Sequence, residues 1–116
     1  MAEGRLTLPA SVQVGHLHYR VESVSDESWR ERFAGQCDRD KQIIKIATGM
    51  ADGTTAETLL HEILHAAWAV GKCGPLGKRE ERAVNGLAPI LLMVMRDNRA
   101  LFASLVEAIE TKGADA

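Results

Sequence analysis

Between Thr54 and Gly71 the sequence writes out one helix with both of its ends marked. Thr54 and Glu57 stand at the spacing of a capping box, in which each side chain closes the other's unpaired backbone N–H. Gly71 follows the last apolar residue, Val70, where a helix commonly stops. The helix predicted over 55–70 carries His61-Glu62-Ile63-Leu64-His65, and its flanks Thr58-Leu59-Leu60 and Ala66-Ala67-Trp68 are uncharged. A mostly apolar helix that contains two imidazoles and a carboxylate must be packed inside a domain that gives those groups partners. Residues four apart differ by about 40° around the axis and about 6 Å along it, so His61 and His65 share one face. Glu62 is turned about 100° from His61 and about 60° from His65, beside that face and off it.

The chain has 116 residues, enough for one core and too few for two. Apolar residues make up 46% and charged residues 26%, the balance of a folded soluble domain. A net charge of −2 gives no electrostatic footprint for nucleic acid or an anionic membrane surface. Leu87 to Met95, the longest strongly apolar stretch, is about half of what spans a bilayer and contains Pro89. Cys37 and Cys73 form no CxxC pair and are too few for a disulfide scaffold, so reduced thiols are expected. The first residues lack a basic segment followed by an apolar one, and a cytoplasmic location is expected.

Ahead of the central helix, alternation from Val12 to Val21 around Gly15 predicts one or two short strands. Asp26 to Phe33 suits a short helix capped by Ser25 or Asp26 and ending at Gly35. Cys37 to Lys41 reads as a polar turn into a β-branched strand over 42–47. Behind the central helix, residues 71 to 77 hold three glycines and Pro75, which reverses the chain. A second helix begins near Lys78 or Arg79, and Pro89 should kink it by removing the bond to the Asn85 carbonyl. Asn98 caps a last helix with Leu101, Phe102, Leu105, Val106 and Ile109 at helical spacing.

The paired imidazoles fit one zinc ion, and Glu62 is placed to act as base toward a water that zinc acidifies toward a pKa of ~7. Amide hydrolysis is the chemistry this combination suits. Zinc with two protein ligands is incomplete, since a catalytic site normally has three and a water. Glu80 and Glu81 open the returning helix, and Glu81 is the preferred third ligand, with Glu80 as its rival. Asn85, one turn beyond Glu81, is placed to hydrogen-bond a ligand imidazole. His16, His18, Cys37 and Cys73 are weaker rivals as ligands. Tyr19, His16 and His18 are the candidates for steadying an oxyanion, and the sequence does not select among them.

HExxH followed by a helix with Glu81-x-x-x-Asn85 resembles the gluzincin metallopeptidases, and the segment Glu81 to Ala88 is similar to the glutamate helix of ImmA/IrrE-type peptidases. Over nearly the whole chain, the order Leu8-Pro9, Gly15, Tyr19-Arg20-Val21, Gly35, Asp38, Ile44-Lys45-Ile46, Thr58 to His65, Glu80-Glu81 and Arg96-Asp97-Asn98 resembles small zinc-peptidase-like proteins of tailed bacteriophages and prophages. The resemblance implies zinc held by His61, His65 and Glu81, Glu62 as catalytic base, and a peptide or protein substrate. It also implies that strand 42–47 is the sheet edge on which an extended substrate adds as a strand. The short spacer between His65 and Glu81 leaves no room for an inserted subdomain, so the site is expected to be open.

The expected fold is α+β: a small, mostly antiparallel sheet of three or four strands packed against the site helix, the glutamate helix and a C-terminal helix. It occupies residues 11 to 112, with flexible ends at 1 to 10 and 113 to 116. The expected function is a zinc metallopeptidase; the alternative is a zinc-stabilised phage protein that binds a protein partner without catalysis.

Overall fold

The computed structural model describes residues 6 to 115. Gly15, at φ 61°, turns the chain between β1 (Ser11–Val14) and β2 (Leu17–Val24), which pair as an antiparallel hairpin. A side chain at that φ would be strained, and a Cβ there would meet Val70 Cγ1 at 2.7 Å. Asp26 then caps the short α1 (Glu27–Arg30), its Oδ1 accepting from the backbone N–H of Trp29 at 3.0 Å. The chain returns through β3 (Gly35–Asp38) and β4 (Ile43–Ala47), which pair antiparallel with each other.

The sheet order is β1-β2-β4-β3, and β2 with β4 forms a parallel pair. The fold is α+β with a mixed sheet of four strands, mostly antiparallel as expected, and its one parallel pair lies at the centre. There the chain crosses over through α1 and β3 before β4 pairs beside β2. The Cys37-Asp38 dipeptide, expected in a turn, belongs to β3. A second correction follows from the same order: β4 lies between β2 and β3, so strand 42–47 is not an edge, and the edge beside it is β3.

One face of the sheet carries α2 (Asp52–Val70). Tyr19, Ile44, Ile46 and Ala66 are buried between sheet and helix, with Leu59, Ile63, Ala67 and Val70 packed around them. Truncating either isoleucine to alanine would cost roughly 2–5 kcal/mol, a large share of the stability of a domain this small. The helix starts two residues before Thr54. Ala51 is its N-cap without a side-chain bond, Thr55 N–H donates to Ala51 O at 2.9 Å, and Asp52 sits in the first turn where a negative charge suits the helix dipole.

α3 (Lys78–Asp97) lies against α2, not against the sheet, and continues through Pro89. α4 (Arg99–Asp115) follows after Asn98 and leans on α3 near their junction. The expectation that all three helices pack on the sheet therefore fails for two of them, since α2 alone covers the face that the short strands offer. Helix α4 runs through Gly113 to Asp115, where a tail was expected, and Leu8 packs on the core although it lies in the segment read as a loose end. Residues 1 to 5 and 116 lie outside the described residues. Among the described residues no helix is long and apolar enough to cross a membrane.

Candidate metal centre

The loop between α2 and α3 is held by Trp68, whose indole N–H donates to the carbonyls of Gly74 at 3.1 Å and Pro75 at 3.3 Å. Gly77, at φ 125°, then turns the chain into α3, so that the first turn of α3 faces the middle of α2. This brings His61 and His65 of α2 opposite Glu80 and Glu81 of α3. The Nε2 atoms of the two histidines are 3.1 Å apart, and Glu81 Oε1 lies 2.9 Å from His65 Nε2 and 3.3 Å from His61 Nε2.

The other ring nitrogen of His65 is committed elsewhere. Its Nδ1 lies 2.5 Å from Glu80 Oε2, and the same oxygen pairs with the Arg39 guanidinium. Paired with a cation, Glu80 is a carboxylate and accepts only, so Nδ1 is the donor and Nε2 presents its lone pair to Glu81 and His61. Three such atoms within reach of one another form a group that could hold a cation. Zinc about 2.0–2.1 Å from each of three tetrahedral ligands would keep them roughly 3.3 Å apart, so the donor set and its spacing fit that ion. Burial lowers the pKa of His65, and His61 and Arg39 lower it further against the opposing pull of Glu81; a neutral imidazole is the form that binds metal.

Glu80 is 2% exposed, whereas Glu81 is on the surface. The two acids expected to compete for one role thus occupy two places: Glu81 brings an oxygen to the Nε2 side of His65, and Glu80 fixes the ring from its Nδ1 side. Glu80 Oε1 also accepts from the backbone N–H of Gly77 at 3.3 Å, tying the first turn of α3 to the same carboxylate. The bracing role expected of Asn85 is therefore filled by Glu80, since Asn85 is exposed and one turn further along α3. A signal for this was present in the sequence. Glu80 stands four residues before Val84 and eight before Ala88, the face of α3 that is buried.

Arg39 was not singled out by the sequence. It sits in the β3–β4 turn, where Asp38 Oδ1 accepts from the N–H of Lys41 at 3.0 Å, and its Nε donates to the His65 carbonyl at 3.3 Å. Nothing in the string Asp38-Arg39-Asp40-Lys41 distinguishes it from the other charges of a polar turn.

Glu62 lies against β3 at Gly35 and is 6% exposed. Its Oε2 lies 3.0 Å from where a Cβ on Gly35 would be, so the glycine permits the strand to approach the helix this closely. Burial, reinforced by the charge of Glu81 and opposed by Arg39, raises its pKa to about 7. Glu62, His61, His65 and Glu81 line one open cleft of about 410 Å³, together with Arg39, Glu80, Phe33 and the edge residues Gly35, Gln36 and Cys37.

The remaining candidates are elsewhere. Among the described residues the sole group of three that could hold a metal ion is His61, His65 and Glu81. His16 and His18 are exposed on the β1–β2 hairpin, Cys73 is exposed in the loop after α2, and Tyr19 is buried in the core, none of them lining the cleft. Cys37 lines it as a free thiol, raised to about 11 by burial and by the nearby Glu62. Comparison of the chain with protein-family models, curated proteins and solved structures finds no match. The chemistry of the site therefore stands on these residues alone.

Proposed function

We propose that the protein is a zinc-dependent peptidase in which His61, His65 and Glu81 hold the metal and Glu62 is the general base. The observation that carries this reading is the triangle of Nε2, Nε2 and Oε1 atoms, 2.9 to 3.3 Å on a side, opening into a cleft that also contains a buried carboxylate. Zinc held by these three residues would supply Lewis acidity toward an amide carbonyl and a water. Glu62 takes the proton of the attacking water and delivers it to the departing amine, being adjacent to the donors without belonging to them. The Glu80–Arg39 pair holds the His65 ring through Nδ1, so that both hydrogens and lone pairs are set before substrate arrives.

The edge strand β3 supports a peptide substrate. Ala47 N–H donates to Ala34 O, and the antiparallel register continues from that pair through Gly35 opposite Ile46. Hydrogen-bonded and free pairs alternate along such a ladder, so the N–H and C=O of Gly35 and Cys37 face outward. An extended peptide added there runs past Glu62, with main-chain bonds giving affinity independent of its side chains.

The test uses zinc content and turnover together. Purified, zinc-loaded wild type should hold about one zinc per chain and cut unfolded polypeptides in a way that a chelator stops. Glu62→Gln should keep the zinc and the fold while losing roughly a hundredfold or more in turnover, the scale of a positioned general base. Cleavage that persists unchanged in Glu62→Gln would sink the mechanism. Zinc retained with no cleavage by either protein would favour the metal-stabilised binder instead.

A further inference from the structure

The helical end of the molecule is unfinished as a monomer. Its radius of gyration is 15.3 Å, where a compact chain of this length has about 13 Å. On α4, Leu101, Leu105, Val106 and Ile109 lie on one broad stripe and are 50% to 70% exposed. A helix of this length is marginal in water without a surface to bury its apolar face. Between the start of α2 and the end of α3 lies an open groove of about 800 Å³. Its walls are mainly Ala51, Ala56, Pro89, Leu92, Met93 and Met95.

One chain thus carries an amphipathic helix without a groove and an apolar groove without a helix. They do not meet within the chain, because α4 begins after the single residue Asn98 and antiparallel helix hairpins use loops of about 2–5 residues. We infer that two copies form a two-fold dimer in which the apolar stripe of each α4 lies in the α2–α3 groove of the other. The contact is self-complementary and closes, so it makes a dimer and not a filament. The groove wall contains Glu57 and Arg96, and α4 carries Arg99 and Glu110 beside its stripe, so neither surface repels the other by a single sign of charge.

The area is sufficient. Taking roughly 100 Å² for a fully exposed side chain of this size, the stripe and groove walls offer roughly 350–400 Å² of apolar surface per copy. At about 60% apolar content that is a total interface of roughly 1,200 Å², the lower end of specific association. The methionines in the groove adapt readily to a ridge of leucine and isoleucine.

Sedimentation of the full chain tests this. At ~100 µM, where an interface of this size should be populated, wild type should sediment at twice its 12.6 kDa. Leu105→Lys and Met93→Glu should each sediment as monomers while keeping wild-type helical circular dichroism and zinc content. Their equimolar mixture should regain a dimer, since one helix–groove pair is then intact and the other sets the new lysine against the new glutamate. A monomeric wild type, a variant that stays dimeric, or a mixture no more associated than its components would overturn the inference. The peptidase reading is untouched by any of these results, because neither residue lines the metal cleft.

Discussion

Replacing Glu80 by glutamine removes one negative charge from a site where three donors converge on one carboxylate. Glu80 serves His65 Nδ1, Arg39 and the Gly77 N–H, whereas an amide has one acceptor oxygen and an NH₂ group that can only donate. At least one of the three donors must then face another donor. Loosening the second partner of a ligating histidine typically weakens metal binding 10–100-fold, about 1.4–2.7 kcal/mol. Breaking a fully buried ion pair costs 3–5 kcal/mol, but the Arg39 side chain is 27% exposed and water compensates much of that. The metal-free protein should therefore lose only about 1–2 kcal/mol, a fall of several degrees in melting temperature. Zinc affinity would be measured by competition with a chromogenic chelator, alongside thermal melts with and without zinc. Glu57→Gln, on the exposed side of α2, is the control. A Glu80→Gln protein that is folded and binds zinc within about threefold of wild type would refute the claim that Glu80 orients His65.

Glu81→Ala should weaken zinc binding more than Glu80→Gln does, because it deletes a donor atom, yet leave the metal-free melting temperature nearly unchanged, since the side chain is 55% exposed; competition titration and melts of both variants give the ranking. At pH 7 an alkylating reagent should modify exposed Cys73 well before Cys37, whose thiol ionises only at about 11, as mass spectrometry of the time course would show. Because burial raises the folded pKa of Cys37 above its ordinary 9.0, its contribution to stability is full below pH 9.0 and is lost as pH rises to about 11. Cys37→Ala should flatten the stability curve across that window.

The parts of the molecule that were legible in the sequence are those written in local patterns. The α2 helix announced itself through Gly71 and its apolar flanks, and His61, Glu62 and His65 followed from helical spacing once α2 was granted. Strand β3 was not legible, since Gly35-Gln36-Cys37-Asp38 has turn residues at both ends and no β-branched residue; it is a strand because Ile43 to Ile46 offer it a ladder. The parallel β2–β4 pair is likewise a tertiary choice that no single segment encodes. The Thr54 capping pattern misled because the chain before it, Asp52-Gly53, could add half a turn of helix. Arg39 was invisible for a related reason: its importance comes from lying over the His65 carbonyl, twenty-six positions away.

The two acids at the start of α3 are consecutive, and that adjacency sets the phase of the whole helix. Neighbouring residues on a helix point about 100° apart, so Glu80 reaches Nδ1 of His65 from behind while Glu81 reaches Nε2 from the front. Were α3 to slip by one position against α2, both carboxylates would swing together by that angle, and the imidazole would lose both of its carboxylate partners in one step. Loops between helices ordinarily accept insertions, but residues 71 to 77 act as a spacer of fixed phase.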